Sequence, residues 1–471
     1  MNLFFRKVSS YKQDSIWSWF ICFCYTICMI FVDGLTFSLG VFFPVLMDSF
    51  NESRERTAWF TSIVVSVMCF TSPASGGLLN RFGIRTTTIL GCLLCSSALA
   101  MGSLVPTIVT LYIAFSLPFG LGYALINLTS PIIATHYFRK KRTIALGFLM
   151  AGQGIGAMTL APTTQALVDV FDWRNTFRVF AGLLALTSLT GWLLHKGITP
   201  PNEPAEVAPK AFQLNLALLR KPALLVLMLT RSVYAFCRLT PYVYLIKYSN
   251  DVGIPADKGA TLFMFIGVFA TLGRLGGGFL CNLKWIKARI LVQASAFAMG
   301  TSVILLTLAK TYGALVAISI VFSASDGIWN VTFLIECLNS VEESKQASAF
   351  GFTMISAGVF ALGGPPLIGF IADKSGNYIA AFITAGGAGI VASLVPFLLV
   401  CVNRGSERNV VSDIEDSISL GEYGDVTERQ LQLLQRSRDD ALEHKRKSSI
   451  LQGSKQQIND ILDIVSRETV L

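Results

Sequence analysis

The sequence predicts an all-α membrane protein of twelve transmembrane helices, folded as two pseudo-symmetric six-helix halves. Twelve long apolar stretches fill the first 402 residues, and a run of about 20 apolar residues is what crosses a ~30 Å hydrocarbon core as a helix. Of the 471 residues, 53% are hydrophobic and only 14% charged, with a mean hydropathy of +0.58. A soluble domain carries about 25% charged residues, so the surplus apolar surface must face lipid. The second half also repeats part of the first. Gly147, Phe148, Met150, Gly154 and Ala157 recur at one offset as Gly351, Phe352, Met354, Gly358 and Ala361, and Pro162 recurs as Pro365.

The first stretch, 17–46, is about twice as long as the apolar core of a secretory signal. No A-x-A site follows it, so it reads as a span and not a cleaved leader. Spans 58–78, 87–104, 109–135, 143–168 and 176–197 complete the first half, and Gly152, Gly154 and Gly156 in the fifth suit close helix contact. A charged segment rich in proline (Pro200, Pro201, Pro204, Pro209) then intervenes. Spans 222–246, 258–282, 289–309, 313–337, 346–371 and 378–402 form the second half. The chain thus divides into an N-terminus (1–16), an N-terminal bundle (17–197), an inter-bundle loop (198–221), a C-terminal bundle (222–402) and a tail (403–471). Parallel six-helix repeats place a binding site near the midplane between them. Lys and Arg crowd the alternate segments holding Arg6, Lys7, Lys12, Arg81, Arg85 and Arg139-Lys140-Lys141-Arg142. By the positive-inside rule, the N-terminus, the inter-bundle loop and the tail are cytoplasmic.

The net charge of +9 does not mark a nucleic-acid binder, because the basic residues sit in short loops and not in a long run interleaved with aromatics. Ten cysteines show neither disulfide-framework nor zinc spacing and read as packing residues. The three histidines, His136, His195 and His444, are far apart, and there is no HExxH pattern. No metal, cofactor or catalytic residue is expected, and no nucleophile–base set suggests an enzyme.

Gly76-Gly77-Leu78-Leu79-Asn80-Arg81-Phe82-Gly83-Ile84-Arg85, after the second span, resembles the major facilitator superfamily loop signature G-x-x-x-D-R-x-G-x-R. Gly76, Asn80, Arg81, Gly83 and Arg85 are its gating-loop positions, with Asn80 in place of the usual aspartate. Asp14-Ser15-Ile16-Trp17-Ser18-Trp19 resembles the D-G-G-W-G-W start of the monocarboxylate transporters. Tyr137-Phe138-Arg139-Lys140-Lys141-Arg142, followed by Ala145-Leu146-Gly147, is similar to their entry to helix five. Gly273-Arg274 matches their helix-eight pair, and Gly364-Pro365-Pro366, Gly369, Asp373, Gly376 and Tyr378 match the end of helix eleven. The resemblance covers about Asp14 to Val402 and implies a major facilitator superfamily fold. Two departures bear on mechanism. The lactate–proton branch carries a lysine where ungapped matching puts Val41, and an aspartate where Ala270 stands.

Ionisable residues inside a membrane are costly and tend to be functional. Arg274 lies about 12 Å from the inner end of its span and Asp326 about 16 Å from the inner end of the tenth. They are expected to pair, as the resemblance to the thyroid-hormone and aromatic-amino-acid branch implies. Asn330, one turn after Asp326, extends a polar stripe. Arg238 and Asp33 lie at equal depth on equivalent helices of the repeat, so a second pair across the cavity is expected. Arg231 is read as snorkelling to the inner interface, and Phe37, Phe42 and Phe43 as lipid-facing, with contact to an apolar substrate as the alternative.

Asn51-Glu52-Ser53 fits a glycosylation sequon close to the membrane. In the tail, Lys445-Arg446-Lys447 before Ser448 and Ser449 suits phosphorylation, and Thr469-Val470-Leu471 fits a PDZ ligand. The resemblance leaves room for a single-span ancillary subunit. The implied function is a plasma-membrane secondary transporter working by alternating access on a small organic monocarboxylate or an amphipathic amino acid. Facilitative transport is expected over lactate–proton symport. The alternative is a transporter-like sensor or scaffold signalling through its tail.

Overall fold

A computed structural model describes residues 13–194, 216–281, 283, 286–341 and 345–397. Most of the inter-bundle loop, the whole tail with its basic and PDZ-like motifs, and the side chain of Asn80 lie outside the described residues. All regular structure among the described residues is helical. The helices are α1 (Ile16–Phe50), α2 and α3 within Arg54–Gly102, α4 (108–137), and α5 and α6 within Arg142–Leu193. Then follow α7 (Pro222–Asp251), α8 (Ala256–Cys281), α9 (Ala288–Leu305), α10 (Tyr312–Asn339), α11 (Gln346–Ser375) and α12 (Ile379–Leu394).

Two loops expected between spans are far shorter than the apolar pattern suggests. Arg54–Gly102 is continuous except at Gly83, with φ 79° and ψ 165°, and Arg142–Leu193 breaks only at Asp172, with φ 67°. A single residue at positive φ redirects a chain without a loop, and glycine takes that conformation at no steric cost. These breaks divide the long elements into α2 (54–82), α3 (84–102), α5 (142–171) and α6 (173–193). Elsewhere polar side chains set the ends. Ser15 accepts from Ser18 N–H to start α1, Ser53 accepts from Arg56 N–H to start α2, and Thr311 does the same for Ala314 in α10. Asn51 closes α1 in the left-handed conformation.

Large apolar side chains cover the outside, among them Leu93, Ile113, Leu186, Leu275, Phe279 and Val391. Water would not tolerate so much exposed hydrocarbon, whereas lipid does. Among the described residues, ten helical segments are long and apolar enough to span a membrane, one of them the 50-residue Ile144–Leu193 run that holds two spans.

Packing follows the sequence repeat. α1 packs on α5, with Gly34 against Gly156, and α7 packs on α11. Between the halves, α5 meets α8 and α2 meets α11. The repeat-matched glycines sit at those two crossings. A Cβ on Gly154 would lie 2.8 Å from the Gly267 carbonyl of α8, and one on Gly358 would lie 3.0 Å from Cβ of Cys69 in α2. Small residues let backbones approach where no water is available to drive association.

Candidate functional site

Four elements bring the intramembrane charges to the middle of the bundle. Asp326 of α10 is fully buried, and four side chains donate to its carboxylate. Arg238 Nε donates to Oδ1 at 2.7 Å, Tyr234 OH at 2.9 Å and Asn330 Nδ2 at 3.1 Å, while Tyr242 OH reaches Oδ2 at 3.3 Å. Arg238 also lies 5.4 Å from the centroid of the Tyr242 ring. Tyr234, Arg238 and Tyr242 share one stripe of α7, and that whole stripe faces Asp326.

Neither expected pairing forms. Asp326 pairs with Arg238, not Arg274. Asp33 of α1 turns toward its own half, where Oδ1 accepts from Tyr123 OH at 2.6 Å and from Gln153 Nε2 at 3.3 Å. Depth along a helix does not fix which way a side chain faces, and the direction of each face decides the partner. Among these intramembrane charged groups, Asp33 Oδ2, Arg274 Nη1 and Arg231 Nε are buried without a hydrogen-bond partner. Arg274 makes no ion pair within 4.0 Å among the described residues.

Arg274 lines a narrow cavity with Phe37, Gln153, Gly154, Ala157, Tyr242, Ile266, Gly267 and Ala270. The cavity is closed down to a space of about 10 Å³, barely room for one water. The wall is apolar and aromatic, with Phe37 and Tyr242 rings 5.0 Å apart. Phe37 is thus a cavity residue and not a lipid-facing one, and Phe42 and Phe43 are fully buried against Phe177 and Tyr244. Arg231 does not snorkel. Its guanidinium lies 5.2 Å from the Phe333 ring centroid, 5.5 Å from Phe350 and 5.7 Å from Trp329, an arrangement in which ring quadrupoles take the place of water.

Sequence reasoning passed over Gln153, although it is an amide amid the apolar and small residues of 144–158 in α5. It also passed over a polar cluster at the end of the bundle that carries Asn51. There Arg54 pairs with Asp251 at 3.4 Å and Asp373 at 3.8 Å, and its guanidinium lies over the Tyr378 ring at 4.8 Å. Asp373 accepts from the backbone N–H of Arg54 and Glu55 at 3.4 and 3.1 Å, so a carboxylate of α11 caps the positive end of α2. At the opposite end, Gly83 supplies the break in the loop motif, Arg81 lies over Phe82 at 5.5 Å and Arg85 over Trp192 at 4.5 Å. Gly76 lies within the helical part of α2.

A family model described as the Major Facilitator Superfamily matches residues 21–361. The chain is similar to Monocarboxylate transporter 4 of Rattus norvegicus, 28% identical over 85% of this chain and 87% of that protein. Monocarboxylate transporter 3 of Rattus norvegicus is 29% identical over 81% of this chain and 79% of its own length. Monocarboxylate transporter 12 of Xenopus laevis is 26% identical over 85% and 92%. Among solved structures, a point mutant of the nucleoside transporter NupG superposes with a TM-score of 0.67 at 12% identity, covering 81% of this chain and 99% of that one. A bacterial homologue of the lysosomal transporter Spinster, inward-facing and unoccupied, gives 0.62 at 14% identity over 83% and 96%.

Proposed function

The chain belongs to the Major Facilitator Superfamily, and from that premise we propose that it carries a small organic monocarboxylate or an amphipathic amino acid across the plasma membrane by alternating access, with both termini cytoplasmic. The observation that carries this reading is Arg274. A guanidinium inside the membrane, with no ion pair within 4.0 Å among the described residues and on the wall of a cavity between the two halves, is held ready for a carboxylate, which its planar fork binds in two-point fashion. Asp326, Arg238 and Asn330 form the neighbouring fixed network. Asp33 completes the set of charged groups around the cargo.

Facilitative transport is favoured over lactate–proton symport. Ala270 lies on the cavity wall and Val41 is fully buried, so neither position where that branch keeps an ionisable group can hold a proton here. The similarity to monocarboxylate transporters supports the carboxylate class without choosing its member.

Uptake screening at two pH values, with surface biotinylation, tests the reading. Arg274→Lys and Arg274→Ala should reach the surface and lose uptake by about tenfold or more, since an unanchored carboxylate must leave water uncompensated. Wild-type uptake by Arg274→Ala would remove the assignment. Binding without flux in the wild type would favour the sensor reading instead.

A further inference from the structure

Two unpartnered atoms around Gln153 belong to groups of opposite sign, whereas Arg231 Nε, also without a hydrogen-bond partner, lies against the rings of Trp329, Phe333 and Phe350. Arg274 Nη1 lacks an acceptor and Asp33 Oδ2 lacks a donor, and both are buried. A buried charge left unpaired is costly, so both call for partners. They do not satisfy each other, since no ion pair within 4.0 Å joins them. Gln153 links the two places, because it lines the cavity beside Arg274 and its amide donates to Asp33 Oδ1. Tyr123 of α4 donates to the same oxygen. Arg238 is already engaged by Asp326.

We propose that the cargo is a zwitterion, a compound whose carboxylate binds Arg274 and whose cationic nitrogen binds Asp33. This rests on the carboxylate-carrier reading and narrows it. A plain monocarboxylate would satisfy Arg274 but add a second negative charge near Asp33. A simple cation would do the reverse. A molecule bearing both groups meets both and brings no net charge into the membrane interior. Phe37, Tyr242 and Ile266 on the cavity wall must part to receive its apolar body, since the space between them is now about 10 Å³.

The test compares matched pairs that differ by the nitrogen alone, in cells expressing the full chain: phenylalanine and 3-phenylpropionate, leucine and 4-methylpentanoate, γ-aminobutyrate and butyrate. In at least one pair, the wild type should take up the zwitterion about tenfold or more faster than its desamino partner, because a site built to bond an N–H group rejects the analogue lacking it. Asp33→Asn should collapse that ratio to about twofold or less, and Asp33→Glu should keep part of it. Arg274→Lys should lower uptake of both members. The inference falls if every desamino acid matches its partner in the wild type, a result that needs no variant, or if surface-expressed Asp33→Asn keeps the ratio. Entry of monocarboxylates without any nitrogen preference would sink the zwitterion alone. Entry of neither kind would sink the carrier reading and this one with it.

Discussion

Asp326 shows how a carboxylate persists within a membrane-spanning helix. Four donors from α7 and α10 converge on it, and the cationic one, Arg238, is itself a quarter exposed. Removing one partner of such a pair strands the other charge, which costs more than the pair contributes. Asp326→Asn should therefore destabilise the protein by about 3–5 kcal/mol, read as a lower Tm of the purified chain in detergent. The double variant Asp326→Asn with Arg238→Gln should recover part of that loss, and strictly additive losses would contradict the pairing. The residues themselves were legible from sequence as rare charges in apolar runs. Their partners were not, because depth is one coordinate and pairing needs the helix azimuth as well.

At the scale of elements, two stretches far apart in sequence prove to be one joint. Asp14, just before α1, accepts from the backbone N–H groups of Arg139, Lys140 and Lys141, and Asp14 N–H donates to the Tyr137 carbonyl. Trp19 meets Phe138 edge to face at 4.9 Å. The two family-like blocks, Asp14 to Trp19 and Tyr137 to Arg142, thus lock α1 to the α4–α5 turn. The Lys140 N–H foremost holds the Asp14 carboxyl below its usual range, against a smaller opposing effect of burial and with help from Lys141 and Arg139. A lowered carboxyl stabilises the fold above its unfolded value, about 3.9, and that contribution is lost as pH falls through the folded value. Asp14→Asn should lower the Tm at pH 7.4 and by the same amount at pH 5.5, with the gap from wild type closing only below about pH 4. A gap that shrinks between pH 7.4 and 5.5 would refute the clamp. At this scale the sequence was a good guide to span number and a poor one to loops, since Gly83 and Asp172 turn the chain within one residue each.

For the whole molecule, the Arg54 cluster ties α2 to α7 and α11 at one end of the cavity. The alternating access proposed for this chain requires that end to open and close, so the cluster should act as a latch. Its groups are partly exposed, with side-chain exposures of 19%, 32% and 29% for Arg54, Asp251 and Asp373, and it should be worth only about 1 kcal/mol. Arg54→Ala should thus raise the open population at that end about fivefold. A cysteine placed at the buried Ala372, whose carbonyl accepts from Arg54, should react correspondingly faster with a membrane-impermeant maleimide. An unchanged rate would show that the cluster does not hold the end shut.

The apolar runs alone determined that this chain spans a membrane with helices, because nothing else buries so much hydrocarbon while satisfying every backbone group. The spaced repeat of Gly154 and Gly358 likewise determined that two halves pack alike, since a close crossing admits only small residues. Tertiary structure decided the chemistry of the centre. Only packing turned Arg238 onto Asp326 and left Arg274 and Asp33 each with an unmatched atom, because charges in a medium without water take whichever partner the helix faces bring within reach.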